Sequence, residues 1–134
     1  VTAVDGSPAL CDYASSLLEQ PVQCLNFNEL NFNGQFDGVW ACASLLHLPY
    51  LQLTKVLGLI ADSLKPNGIL YASFKYGTDS QLDGKGRFYC NFTEDTIHSL
   101  FSSNNAFKLL KTVVTEDVRP NMTQKWLNII AKKK

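Results

Sequence analysis

Strand-like and helix-like segments alternate along this chain until its last quarter, where two strand patterns follow one another with no helix between them. A chain that leaves one strand, crosses through a helix and returns to the sheet must run in the same direction again, so such alternation produces parallel strands. Two strands in succession at the end add one antiparallel neighbour. The sequence therefore predicts an α/β fold: a doubly wound, mostly parallel sheet with a terminal antiparallel strand and helices on both faces.

The individual signals are local. Val1–Asp5 reads as a strand, Ser7 as a helix cap and Pro8 as a first helical residue. Leu10, Tyr13, Ala14, Leu17 and Leu18 then recur at helical spacing until Pro21 ends the helix. Val22–Leu25 is a second strand and Asn26–Gln35 a polar loop. Phe36–Ala43 is a third strand, apolar enough to lie within a sheet. Pro49 opens a longer helix with Leu53, Val56, Leu57, Ile60, Ala61 and Leu64 as its inner stripe. Lys65-Pro66-Asn67-Gly68 has turn chemistry, and Ile69–Phe74 is a fourth strand. Tyr76–Asn91 is a long, glycine-rich, polar loop of the kind that carries function. Thr93 caps the next helix, with Glu94 and Asp95 in its positive first turn and Ile97, Leu100 and Phe101 facing inward. Phe107–Thr115 and Lys125–Ala131 are the closing antiparallel pair, joined through Arg119-Pro120-Asn121.

Size and charge narrow the function. At 134 residues the chain is expected to form a single domain, 1–134, with one sizeable core. Twelve basic residues balance twelve acidic ones, so no global field draws in nucleic acid or an anionic membrane surface. Lys132-Lys133-Lys134 is the one basic run and is read as a solvated tail. Cys11, Cys24, Cys42 and Cys90 form no C-x-x-C pair, so no metal site is expected. Three of them sit among apolar neighbours and read as buried free thiols in a reducing, cytoplasmic setting. No apolar run approaches the ~20 residues of a membrane span.

Asp5 carries the sharpest functional signal. An acid at the carboxyl end of the second strand of a doubly wound sheet can accept from both hydroxyls of a cofactor ribose, and it follows a glycine-rich loop by about 20 residues. Nothing precedes Val1 here, so the expectation is a chain lacking the first strand and that loop. Asp5 also reads as an ordinary acid in a strand-to-helix turn. Gly6 and Ser7 would let backbone approach a ligand closely, or simply form the turn and cap.

With these segments in order, the chain resembles a class I S-adenosylmethionine-dependent methyltransferase, in particular the small-domain group that includes the tellurite-resistance-type enzymes. The resemblance rests on Val4-Asp5-Gly6-Ser7, Asn26-Phe27-Asn28-Glu29-Leu30, Phe36-Asp37-Gly38-Val39-Trp40-Ala41 continuing to Leu48, Leu64–Leu70, Ser73-Phe74-Lys75-Tyr76-Gly77 and Thr115–Pro120. It implies a Rossmann-like seven-stranded sheet with Val1–Asp5 as the family's second strand. The absent first strand would lie beside both Val1–Asp5 and Phe36–Ala43. Open edges left by its absence would recruit another chain, so self-association is expected.

The resemblance also distributes roles. Asp5, Gly6 and Ser7 would hold the cofactor ribose. Asn26 stands where the family usually has an acid for the adenine amino group, and its carbonyl oxygen can still accept. Phe27 would stack on the adenine, or belong to the core. Ala41 would leave room beneath the methionine part, or be tight packing. His47 would act as a base on the acceptor, or hold backbone as a structural residue. Cys42 lacks a His or Asp at a telling spacing, and His98 reads as a surface residue. Lys75, Tyr76 and the loop Tyr76–Asn91 would shape the acceptor pocket. The implied activity of the intact parent is methyl transfer from S-adenosylmethionine to a small-molecule acceptor, with this chain itself unable to bind cofactor. The rivals are a non-catalytic interaction module and a fragment of a nicotinamide-dependent oxidoreductase, which would use the same acid.

Overall fold

A computed structural model describes all residues, Val1–Lys134. They fall into two compact units, Val1–Asn31 and Phe32–Lys134.

The first unit is a strand–helix–strand turn. β1 (Ala3–Asp5) and β2 (Val22–Cys24) pair in parallel, with Asp5 opposite Cys24. Between them runs α1 (Pro8–Leu18), capped as the sequence requires: the Leu10 N–H donates to Ser7 Oγ at 3.4 Å, and Pro8 occupies the first turn. Of its residues only Cys11 is buried. Leu10, Tyr13, Leu17 and Leu18 are exposed, because two three-residue strands offer an eleven-residue helix little surface to cover. A single 3₁₀ turn, Phe27–Glu29, follows β2.

The second unit is a four-stranded sheet in the order β3–β4–β8–β7, with β3 at Phe36–Ala41, β4 at Leu64–Lys75, β7 at Phe107–Glu116 and β8 at Lys125–Lys133. β3 and β4 are parallel, and β8 runs antiparallel to both β4 and β7. Three of these four strands therefore share a direction, and the last strand of the chain is inserted against it. The fold is the α/β, Rossmann-like, mostly parallel sheet with a terminal antiparallel strand that the alternation predicts.

One sheet face carries the core. Leu70, Ala72 and Phe74 of β4 alternate inward with Leu127, Ile129 and Ala131 of β8. They are buried with Leu53, Val56, Leu57 and Ile60 of α2 (Tyr50–Ser63) and Ile97, Leu100 and Phe101 of α3 (Glu94–Ser103). Thr93 caps α3 as expected, accepting from the Thr96 N–H at 3.3 Å. On the opposite face Trp40 stacks on Tyr71 with ring centroids 3.9 Å apart, yet stays 74% exposed.

Several local expectations are corrected. Lys65–Gly68 is a bulged excursion within β4 rather than a turn before it: Phe36 pairs with Leu64 and Gly38 with Ile69, so only Asp37 stands opposite these four residues. Asn67 takes the left-handed conformation there, φ 66°, and Lys65 Nζ donates to Asp37 Oδ1 at 2.9 Å across the bulge. The terminal lysines are not a free tail. β8 runs through Lys133, whose Nζ donates to the Leu64 carbonyl at 2.7 Å, and Lys134 Nζ donates to the Asn104 carbonyl at 3.0 Å. Cys24 and Cys42 are exposed and only Cys11 and Cys90 are buried, since apolar sequence neighbours do not fix which face of a strand end a side chain takes. No helix is long and apolar enough to cross a membrane.

Candidate functional site

In the first unit the strand-to-helix turn after β1 places Asp5. The Ser7 N–H donates to its Oδ1 at 2.8 Å, and its backbone carbonyl accepts from the Leu25 N–H at 2.9 Å and from the Cys11 thiol at 3.3 Å. The carboxylate is thus held at the carboxyl end of the strand by one oxygen, with Oδ2 left for another donor. Gly6 is a place of close approach: a Cβ there would lie 3.1 Å from Asn26 Oδ1. Asn26 is oriented by Glu29, whose Oε2 accepts from its backbone N–H at 2.7 Å and from Nδ2 at 3.0 Å. With Nδ2 occupied, Oδ1 is the acceptor turned toward Gly6. Phe27, half-buried, is the first residue of the 3₁₀ turn. The structure therefore brings Asp5, Gly6, Ser7 and Asn26 into one cradle. A free carboxylate oxygen for vicinal hydroxyls, an amide oxygen for an amino group, and a glycine where a side chain would intrude fit a ribose and purine.

In the second unit Ala41 ends β3 and is buried, paired with Ala72 of β4. Beyond it the chain turns sharply. Ala43 has φ 47°, and its N–H donates to Ser73 Oγ at 2.8 Å. A 3₁₀ turn, Leu45–His47, buries Leu45 and Leu46 and presents His47 at the surface.

His47 is not alone. Its Nδ1 lies 2.9 Å from the Phe88 carbonyl oxygen, and its ring sits 4.8 Å from that of Tyr89. Both residues belong to β6 (Phe88–Tyr89), which pairs with β5 (Gln81–Leu82) as a short hairpin inside the segment read as a loop. The Cys90 N–H donates to the Leu46 carbonyl at 2.7 Å, fixing the hairpin to the His47 turn. A carbonyl oxygen can only accept, so neutral His47 carries its proton on Nδ1 and offers Nε2 as the basic nitrogen. The backbone-binding and base readings of His47 are thus compatible.

The hairpin is closed by Asp83. Oδ1 accepts from the Lys85 and Arg87 N–H groups at 2.8 and 2.9 Å, and Oδ2 from Arg87 Nε at 2.7 Å. These bonds, led by the Arg87 N–H, hold the Asp83 carboxyl down at about 2. Over the Tyr89 ring lies Lys75 Nζ, 3.5 Å from its centroid. Asn91, at the end of the segment, buries its Oδ1 without a hydrogen-bond partner.

Asp117, Arg119 and Trp126 form a further cluster where β7 ends and β8 begins. The Asp117 carboxylate accepts from Arg119 Nε at 2.9 Å and Nη2 at 2.7 Å, and from Trp126 Nε1 at 3.1 Å, which holds it well below the usual carboxylate range. A cavity of about 220 Å³ beside it is lined by Cys42, Tyr71, Ser73, Trp126 and Asn128, and neither His47 nor Tyr89 lines it. A larger one, about 460 Å³, opens beside Tyr76 and Asn121–Lys125, beyond the carboxyl end of β4. The sequence missed Tyr89 and Phe88 as partners of His47. Their signal was weak, a two-residue β pattern inside a glycine-rich stretch.

The strand order and the strand-to-helix turns define a mixed α/β protein of the Rossmann-like class. The family model for the methyltransferase domain matches residues 1–72, more than half the chain, and the chain belongs to that family, whose cofactor is S-adenosylmethionine. No curated protein matches it in sequence. Among solved structures, it is similar to the 1,6-didemethyltoxoflavin-N1-methyltransferase of Burkholderia thailandensis, crystallised with 1,6-didemethyltoxoflavin and S-adenosylhomocysteine. The TM-score is 0.83 at 23% identity, covering 100% of this chain and 61% of that one. A methyltransferase of Methanosarcina mazei matches with TM-score 0.77 and 18% identity over 99% of this chain and 81% of its own. The [4+2]-cyclase SpnF matches as well, with TM-score 0.75 and 15% identity over 98% and 66%. The chain thus spans about 61% of the length of the first of these. At such identities the likeness is one of fold, and a cyclase among the neighbours shows that fold alone does not select the reaction.

Proposed function

We propose that this protein, with residues 1–134 as a methyltransferase domain, transfers a methyl group from S-adenosylmethionine to a small-molecule acceptor. The observation that carries this beyond family membership is the turn at Asp5. Its Oδ1 is used internally and its Oδ2 is free, so the carboxylate is oriented without being consumed. Asp5 Oδ2 would accept from the ribose hydroxyls, Gly6 would admit the sugar, and Asn26 Oδ1 would take the adenine amino group. Phe27 would cover the ring, and Ala41 supplies the small residue at the end of β3.

The cofactor supplies an activated methyl on a sulfonium, so the protein's task is alignment and exclusion of water, with proximity able to contribute up to ~7–11 kcal/mol. His47 Nε2 would receive the proton that the acceptor oxygen, nitrogen or sulfur gives up as its bond to the methyl carbon forms. The methyl would leave with its carbon–sulfur electron pair retained on the cofactor's sulfur, so the transfer needs no further leaving group. The Phe88 carbonyl keeps Nδ1 protonated and so keeps Nε2 basic.

These 134 residues contain no glycine-rich cofactor turn, which supports reading them as holding only part of the cofactor site. We read the enzyme as cytoplasmic, a setting that suits four free cysteines. β3 has a single strand partner in its sheet, and Trp40 lies exposed on the sheet face beside it, which supports self-association. A sedimentation profile that stays strictly monomeric at high concentration would remove that part. The role given to His47 in that transfer is tested by replacing it with Gln in the full gene product. Transfer should fall by about 10²–10⁴-fold with little change in cofactor affinity. Undiminished transfer would leave His47 a purely structural residue.

A further inference from the structure

Charge on the hairpin beside His47 is unevenly neutralised. Arg87, 5.8 Å from the Tyr89 ring, is paired with Asp83. Glu94 accepts from the Tyr76 hydroxyl at 3.4 Å, and Asp79 from the Thr78 hydroxyl at 3.2 Å. Ion pairs elsewhere in the chain join Lys65 to Asp37 and Arg119 to Asp117. Lys75 and the hairpin's Lys85 have no carboxylate partner for their ammonium groups, and of the two only Lys75 is seated on an aromatic ring. Its ammonium lies 3.5 Å above the ring centroid of Tyr89, a buried residue whose ring is flanked by that of His47 at 4.8 Å. Lys75 is also the last residue of β4, at the carboxyl end of a parallel strand, where ligands bind in open α/β sheets.

An ammonium held on an aromatic face keeps its donors directed, and the ring does not neutralise its charge. A protonated amine beside it would be repelled. An oxyanion within reach would gain a charge-assisted hydrogen bond.

We propose that Lys75 selects the methyl acceptor by charge, and that the acceptor carries a carboxylate or similar oxyanion which Lys75 holds while the group to be methylated faces His47 Nε2. This rests on the methyl-transfer reading of His47 and adds the substrate class. Lys75 is the specificity residue, and Tyr89 positions both Lys75 and His47 through its two ring contacts.

The test uses a matched pair of probes, 4-hydroxybenzoate and 4-hydroxybenzamide, titrated at neutral pH into the isotopically labelled 134-residue chain. The side-chain signals of Lys75, Tyr89 and His47 are followed by NMR. The acid should move all three saturably and bind at least about tenfold more tightly than the amide. Lys75→Met should bring the acid down to the amide's affinity, and Lys75→Arg should keep the preference. Should Lys75→Met fail to fold, added sodium chloride must shrink the preference in the unaltered chain. Equal binding of acid and amide, binding of neither, or a preference that survives Lys75→Met or is indifferent to salt overturns the proposal. His47→Gln separates the two readings: it should leave the acid preference intact while methyl transfer by the full gene product falls by about 10²–10⁴-fold. An acid preference alongside undiminished transfer would sink the base and spare the subsite.

Discussion

The Nδ1 of His47 lies 2.9 Å from the carbonyl oxygen of Phe88, forty-one residues further along the chain. That bond joins the turn after β3 to the β5–β6 hairpin and sets which ring nitrogen is basic. Nitrogen chemical shifts of the His47 ring should report a neutral form protonated on Nδ1 and bare on Nε2. The opposite tautomer would mean that the ring does not donate to Phe88, and the role assigned to Nε2 would fall with it.

Asp83 makes the hairpin acid-sensitive. Its carboxyl is held down at about 2 in the folded chain against 3.8 for the free group, chiefly by the Arg87 N–H. A group whose folded value is depressed stabilises the fold above its unfolded value, and that contribution fades as the pH drops through the folded one. Hairpin amides such as Arg87 and Lys85 should therefore keep their protection at pH 5 and lose it progressively between about pH 4 and 2. Asp83→Asn should remove the pH dependence and leave protection low throughout. Protection that is unchanged down to pH 2 in the unaltered chain would show that Asp83 does not close the hairpin.

The two faces of the β3–β4–β8–β7 sheet should respond unequally to truncation. Phe74 is 1% exposed and packs edge-on against Phe92 with centroids 5.0 Å apart. Phe74→Ala should cost about 3–5 kcal/mol in denaturant unfolding. Trp40 is mostly exposed and retains only its stack on Tyr71, so Trp40→Ala should cost about 0.5–1.5 kcal/mol. Equal losses would mean that the Trp40 face is covered in solution.

The Asp117 carboxylate gathers Arg119 and Trp126 at the β7–β8 connection. Asp117→Asn should lower the thermal midpoint and shift the Trp126 indole N–H resonance, because the amide keeps only one acceptor for four donors. Because this carboxyl lies below the usual range, the cluster should persist through mild acid and be lost only as the pH falls below that range. An unshifted indole resonance would show that the Asp117–Trp126 bond is not formed.

Much of this architecture is legible in local sequence. Ser7 and Thr93 can each satisfy a helix N-terminus, and Leu53, Val56, Leu57, Ile60 and Ala61 recur at a spacing only a helix can bury, so caps and core stripe stand where expected. The placement of Asp5 was legible because the strand end and the turn that hold it lie next to it in sequence. Partnerships across the chain were not. His47 with Phe88, Lys75 with Tyr89, and Gly6 with Asn26 arise from folding, and no local pattern marks them. Lys65–Gly68 carries genuine turn residues, yet strand pairing on either side of it absorbs the turn as a bulge. The exposed Leu10, Tyr13, Leu17 and Leu18 show the converse: periodicity marks a face that can be buried, and partners decide whether it is.

Calorimetric titration of S-adenosylhomocysteine tests the central claim most directly, using the full gene product, its Asp5→Ala variant and the 134-residue chain. The full product should bind saturably, Asp5→Ala should weaken binding at least about tenfold, and the 134 residues alone should bind far more weakly or release no heat. No binding by the full product, or binding indifferent to Asp5, would contradict the methyltransferase account.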